Sequence, residues 1–226
     1  MKSRPILFSA SMVMAILDGR KTQTRRLVKP QPSDEWAPVV GADHLIVIDR
    51  HGDEQPGREV FGASDEREGR VCPYGRPGDR LWVRETYYAW GHWTKRFNQK
   101  KRREEWHFVD ETVGAGLSYR YEADEKLPRR KRELHEVAWW KRPAIFMPRA
   151  ASRITLEITE VRVERLQSIS EADALAEGVE ALPMETRRGT PRADFCALWE
   201  SINGAGSWDA NPWLWCVSFR PLAPTT

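Results

Sequence analysis

Residues 19–26 read Gly-Arg-Lys-Thr-Gln-Thr-Arg-Arg and follow a short amphipathic run at residues 12–17. One flexible glycine, one lysine, two threonine hydroxyls and three arginines in eight residues suit an anion or a nucleotide, because they bring donors and positive charge together at short range. The same residues also fit a helix end followed by a solvated turn, since basic side chains favour the last helical turn and glycine follows it. Glu85 is the second candidate. Alternation over residues 79–90 puts Leu81, Val83 and Glu85 on one strand face and Trp82, Arg84 and Thr86 on the other. A carboxylate on an apolar face is costly unless it is paired or reactive. Lys21 is the expected partner, either as a structural ion pair or as part of a reactive site.

These residues need elements to position them. Residues 4–9 read as a short strand, and Ser9 or Ser11 caps a helix carrying Met12, Val13 and Ile16 to its end at Gly19. Residues 24–28 are extended until Lys29-Pro30-Gln31-Pro32 stops them. Residues 33–78 lose the pattern, with only 45–48 strand-like, and are read as an insertion that holds a hairpin at most. Residues 79–90 form the clearest strand. A second irregular, basic insertion follows from about 91 to 140, with a strand at 117–121. A long strand falls within 150–166. Ser168 or Ser170 opens a second helix that Gly178 ends, and Thr190 with Pro191 opens a third that ends at Asn203-Gly204. Residues 213–219 close the chain as a strand. Without βαβ alternation or a glycine-rich phosphate loop, a Rossmann arrangement is excluded. The expectation is one α+β domain over 1–226: a small, mostly antiparallel β-barrel with about three short helices and two long insertions.

The 226 residues are 40% hydrophobic and 31% charged, and the net charge is only +3. Its distribution says more than its sum. Residues 95–103 (Lys-Arg-Phe-Asn-Gln-Lys-Lys-Arg-Arg) and 129–132 (Arg-Arg-Lys-Arg) are basic, and 157–185 is mostly acidic. Such basic runs attract phosphates and can form a clamp, but a solvated loop is the leading expectation. Cys72, Cys196 and Cys216 are odd in number and have no CxxC spacing, which argues against a disulfide framework. The five histidines show no metal-ligand spacing. The expectation is therefore a cytoplasmic monomer with no cofactor, no metal and no membrane partner. Its eleven tryptophans, most of them needed for the core, still invite base stacking.

Taken in order, the motifs resemble a family. Gly19-x-Lys21-x-x-Thr24-x-Arg26 is similar to the GxKxxExR signature of ASCH domains, a branch of the PUA-like superfamily associated with RNA. Gly78-Asp79-Arg80-Leu81 and Glu177-Gly178 fall where that family has them. Residues 82–86 (WVRET), 147–153 (MPRAASR) and 211–213 (NPW) resemble phage-associated members. The resemblance implies a PUA-like β-barrel interrupted by the two insertions. Thr24 replaces the signature's glutamate, as in the small ASCH amidohydrolases that deacylate N4-acetylcytidine. That likeness implies a catalytic set of Lys21, Thr24 and Glu85.

Deacylation requires a nucleophile, a proton carrier and oxyanion stabilisation. Lysine serves as a base only when burial or neighbouring cations destabilise its ammonium form. Arg20, Arg25 and Arg26 push that way, and the end of the first helix pushes back. Arg26, Ser152 and Arg153 are candidate substrate contacts, and Trp82, Tyr87 and Trp213 are candidate stacking platforms. Two readings stand: an amidohydrolase for N4-acylated cytidines, or a non-catalytic module holding RNA or a modified nucleoside. A ribonuclease lies between them.

Overall fold

Helix ends follow the expected capping chemistry. In the computed structural model, which describes residues 1–32, 42–61, 70–128, 130–131, 136–179 and 189–223, helix α1 spans Ala10–Leu17, α2 Glu171–Ala176 and α3 Pro191–Asn203. Ser170 Oγ accepts the Asp173 N–H at 3.0 Å to start α2. Thr190 Oγ1 accepts the Ala193 N–H at 3.3 Å to start α3, with Pro191 in its first turn, and Gly204 ends that helix. Each side-chain oxygen satisfies an amide that has no partner within its helix.

The chain divides into two compact units. Unit 1 comprises residues 1–4, 15–81 and 155–226; unit 2 comprises 5–14 and 82–154. Unit 1 is built on β10 (Thr155–Arg165), β11 (Trp213–Pro221) and β2 (Gln23–Leu27), paired antiparallel with Val161 opposite Val217 and Val217 opposite Thr24. The first residues of β5 (Arg80–Arg84) and β1 (Ser3–Leu7) extend this sheet in the order β1-β5-β10-β11-β2. Ile158 donates to the Asp79 carbonyl and accepts from Gly78, and Arg80 donates to the Lys2 carbonyl. Leu166, Ile169, Ala174, Phe195, Trp199 and Leu214 form an apolar core where α2 and α3 meet. The first insertion contains a hairpin, β3 (Ala42–Ile48) with β4 (Glu54–Phe61). The mixed α+β class and mostly antiparallel pairing agree with expectation.

Unit 2 is organised around β6 (Tyr87–Asn98). Residues 87–91 of this strand pair with β9 (Ala138–Arg142), its first two residues also pair with β8 (Arg120–Tyr121), and residues 91–98 pair with β7 (Arg103–Asp110). The expected single strand over 79–90 is therefore two strands. They part at Glu85, whose N–H points to Met147 Sδ at 3.4 Å rather than to a strand carbonyl. Leu81, Trp82 and Val83 are all buried, so both faces of β5 are covered and the alternation carries no inside–outside contrast. Residues 91–110 are regular β-structure apart from the 99–102 turn, not the irregular insertion expected, whereas most described residues from 111 to 137 lie outside any strand, and β8 is the only part of the expected 117–121 strand that forms.

Gly91 marks the tightest point of the β6–β7 pair. A Cβ there would lie 2.0 Å from the Val109 carbonyl oxygen, and the Gly91 carbonyl accepts Trp140 Nε1 at 2.9 Å. Gly91→Ala is expected to force the two strands apart and cost about 1–3 kcal/mol, the range for overpacking, read as a lower urea midpoint with loss of amide protection along β7. An unchanged midpoint would show that the strands are not paired this closely.

Candidate functional site

The residue 19–26 segment turns into unit 1. Lys21 sits between the end of α1 and the end of α2: its N–H donates to the Ala15 carbonyl at 2.8 Å, and its ammonium donates to the Glu177 carbonyl and carboxylate, both at 2.8 Å. Its side chain is 0% exposed. Glycine is required at position 178, which has φ +86° and where a Cβ would lie 2.9 Å from that of Lys21. Arg25, on β2, is equally enclosed and contacts Glu177 at 3.2 Å, Glu164 at 3.0 Å and Asp173 at 3.5 Å. Arg162 joins the same carboxylates through Glu164 and Asp173. Lys21 and Arg25 thus spend their charge inside the protein on carboxylates rather than on a ligand.

Burial, reinforced by Arg26 and Arg25, lowers the Lys21 pKa, while Glu177 opposes the shift. Burial also pulls on Arg25, but the surrounding acidic groups outweigh it and hold the guanidinium charged. Cys216 Sγ lies 3.3 Å from Glu164, and burial pushes its thiol well up, so it is an inert core cysteine. Thr24 is buried on β2, and Arg26 is half-buried beside it, opposite Trp215. Arg20 remains at the surface, bonded to Asp18 at 2.8 Å.

Glu85 belongs to unit 2 and Lys21 to unit 1, and each has a partner of opposite charge in its own unit. For Glu85 that partner is Arg153, whose Nε and Nη2 grip the two carboxylate oxygens at 2.9 and 3.1 Å. Arg153 also donates to Asp124 at 2.6 Å and stacks 4.0 Å above the Tyr121 ring. Burial raises the Glu85 pKa against the pull of Arg153. Neighbouring Ser152 gives its hydroxyl to the Val83 carbonyl at 2.8 Å. The three stacking candidates are buried side chains. Trp82 has the Arg84 guanidinium 4.5 Å from its ring, Trp213 has Arg165 at 4.4 Å, and Tyr87 lies in a core with Ala89, Met147 and Ala151.

Accessible aromatic surface occurs elsewhere in unit 2, at residues the sequence reading did not single out. A cavity of about 760 Å³ is walled by Trp93, Trp106, Phe108, Trp139, Trp140 and Phe146, with Lys141, Arg142, Arg130 and His107 among its polar lining. Its rings meet edge to face, Trp93–Trp140 at 6.2 Å and Trp93–Trp106 at 6.5 Å between centroids. Arg142 lies over three of them, Phe108 at 4.5 Å, Trp93 at 4.9 Å and Phe146 at 5.3 Å. Phe146 is 61% exposed and Trp106 37%. The sequence signal was available in the dense aromatics of 87–97, 106–108 and 139–146, but aromatics on both faces hid the period of the strands.

The basic run 95–103 forms the end of the β6–β7 hairpin. Glu105 collects Lys101 at 2.9 Å, Arg103 at 3.1 Å and the Asn98 amide at 2.8 Å. Of the other basic run, residues 129 and 132 lie outside the described residues. Among the described residues there is no group of three or more His, Cys, Asp or Glu placed to hold a metal, and no helix long and apolar enough to cross a membrane. No family model, curated protein or solved structure matches the chain.

Two outcomes follow from these electrostatics. Lys21→Met leaves Glu177 buried with only part of its compensation and is expected to cost about 3–5 kcal/mol, measured by urea unfolding; a loss under about 1 kcal/mol would mean that water reaches the pair. Glu105 is held down to about 2 by Lys101, Asn98 and Arg103, against an ordinary 4.5. A depressed carboxyl stabilises the folded hairpin above its unfolded pKa, and this contribution fades as pH falls from about 4.5 toward about 2. The Glu105 carboxyl carbon resonance should therefore titrate near the lower value; a midpoint near 4.5 would show that the three contacts do not persist in solution.

Proposed function

We propose that this protein is an ASCH-like module that binds RNA or a modified pyrimidine nucleoside, with a base held in the aromatic cavity of unit 2. One observation carries the reading: a cavity of about 760 Å³ walled by six aromatic side chains and edged by Arg142, Lys141 and Arg130. The volume falls within the usual range for small-molecule sites. Aromatic walls alone would also suit an ammonium ligand, by cation–π attraction. Here the cationic position over Trp93, Phe108 and Phe146 is already filled by Arg142, so a cationic guest meets like charge. A planar ring carrying a phosphate matches both features, because bases stack on aromatic and guanidinium planes and phosphates pair with cations.

The resemblance to ASCH domains rests on the residues quoted for it. The five-strand order ending in β2, with Lys21 anchored at Glu177, supports a PUA-like reading of unit 1. The cavity lies mostly in the segment that interrupts the resemblance, so its ligand is a property of this chain's insertion.

Amidohydrolysis of N4-acylated cytidines is the second reading. One observation favours it: the Lys21 pKa is lowered, the direction a general base requires. Against it, the Lys21 ammonium is enclosed and committed to Glu177, so a substrate would have to displace a buried partner.

N4-acetylcytidine and a single-stranded oligocytidylate should each quench tryptophan fluorescence saturably, without loss of the acetyl group from the former. Trp106→Ala and Phe146→Ala should each weaken binding roughly 5- to 150-fold, matching about 1–3 kcal/mol per stacked base. Absence of quenching would overturn the binding reading. Deacetylation that disappears in both Lys21→Met and Thr24→Val, in samples shown to be folded, would establish the second reading.

A further inference from the structure

Beyond Gly91 the partner of β6 is β7, and the pair continues as a ribbon with a definite face. Trp93 lies opposite Phe108, Lys95 opposite Trp106, and Phe97 opposite Glu104. Directly opposed residues share a face, and successive rungs on that face are about 7 Å apart. Aromatic side chains therefore mark each rung, from Trp93 and Phe108 in the cavity through Trp106 at its edge to Phe97 near the tip. Phe97 is 64% exposed. A large aromatic left in water on a thin ribbon gains nothing for the fold.

The tip adds charge. Residues 95–105 hold six cations and two carboxylates. Lys95 meets Glu104 at 3.5 Å, and Glu105 takes Lys101 and Arg103. Lys100 and Arg102, in the turn, have no carboxylate partner among the described residues, and both are exposed; Arg96 lies opposite Glu105 on the other face of the ribbon. The Asn98 amide on Glu105 and the Lys101 N–H donated to Asn98 Oδ1 at 3.1 Å fix the turn. Its open cations are thus presented on a defined scaffold.

We infer that the β6–β7 ribbon is a binding arm for a single-stranded polynucleotide, which seats one base in the cavity, lays following bases along Trp106 and Phe97, and neutralises its phosphates at Lys100 and Arg102 in the turn. This inference rests on the base-binding reading of the cavity and deepens it: the ligand is a strand of several nucleotides, not a free nucleoside. An aromatic row beside a cationic track is how single strands are held without base-edge contacts. A duplex is a poor fit, because its bases already stack on one another.

The test titrates cytidine 5′-monophosphate and oligocytidylates of roughly three to nine nucleotides, as RNA and as DNA, against the whole protein over a range of salt concentrations. The variants are Lys100→Gln/Arg102→Asn and, separately, Phe97→Ser. Asparagine is chosen at 102 because that residue has φ +47°, which asparagine tolerates. Affinity should rise at least about tenfold from the mononucleotide to the longest strand, for whichever sugar the protein prefers. In the double variant the salt-dependence slope for the strand should fall by about 1.4, near 0.7 for each lost phosphate contact, with mononucleotide affinity unchanged. Phe97→Ser should weaken the strand alone.

Affinity independent of length, a salt slope unaltered in the double variant, or equal affinity for a duplex would each overturn the arm. If even the mononucleotide and the oligonucleotides leave fluorescence unquenched, the cavity reading itself fails, and that result is distinct from a length-independent signal.

Discussion

The fold of unit 1 turns on Glu177. One carboxylate accepts the Lys21 ammonium on one oxygen and the Arg25 guanidinium on the other, and all three side chains are withdrawn from water. Desolvating ions costs several kcal/mol each, and mutual attraction recovers this only when the geometry is good and the remaining donors are satisfied. The surroundings show how far that requirement is met. Glu164 and Asp173 take Arg25 Nη2 while its Nε stays buried without a partner among the described residues, Arg162 bridges those two carboxylates, and the Glu177 backbone carbonyl takes a further Lys21 proton. This network joins β2 and β10 to α2, so the register of strand against helix is specified by charge as well as by apolar contact. The absence of a side chain at Gly178 belongs to the same requirement, since the Lys21 stem passes where a Cβ would stand.

How much of this could be read from the chain depends on the range of each interaction. Caps are local, and Ser170, Thr190, Pro191 and Gly204 mark α2 and α3 at the residues where the sequence placed them. The end strands and the hairpin within the first insertion were legible too. The partner of Lys21 was not: it lies 156 residues away, and Glu85, suggested by its strand face, has its own cation in Arg153. Periodicity failed where both faces of a strand are apolar. In Tyr87-Tyr88-Ala89-Trp90 the first three residues are buried, so the segment shows no alternation to separate inside from outside. The basic run at 95–103 misled for a different reason. Its charge suggested a loop, yet Glu104 and Glu105 across the hairpin compensate enough of it to hold the strands together.

Two placements of positive charge stand side by side in the molecule. Unit 1 encloses Lys21 and Arg25 with carboxylates. In unit 2, Arg142 lies over Trp93, Phe108 and Phe146. A ring quadrupole attracts a cation without cancelling its charge, so Arg142 keeps a positive field at the cavity. One segment with a cationic motif is closed to water, and another that reads as a loop carries the open aromatic surface.

The chain crosses between its units four times, and this sets a schedule for folding during synthesis. Unit 2 has all its residues once the chain has been made to position 154, whereas β2 finds its neighbour only when β11 emerges near the C-terminal end. Domains generally fold as units while the chain is being made, so unit 2 can form first. Lys21 and Arg25 remain in water over that interval and lose their hydration only after Glu177 has been added. The ion network is therefore a late step of folding, and the tryptophan-rich unit is the part of the molecule that exists while it waits.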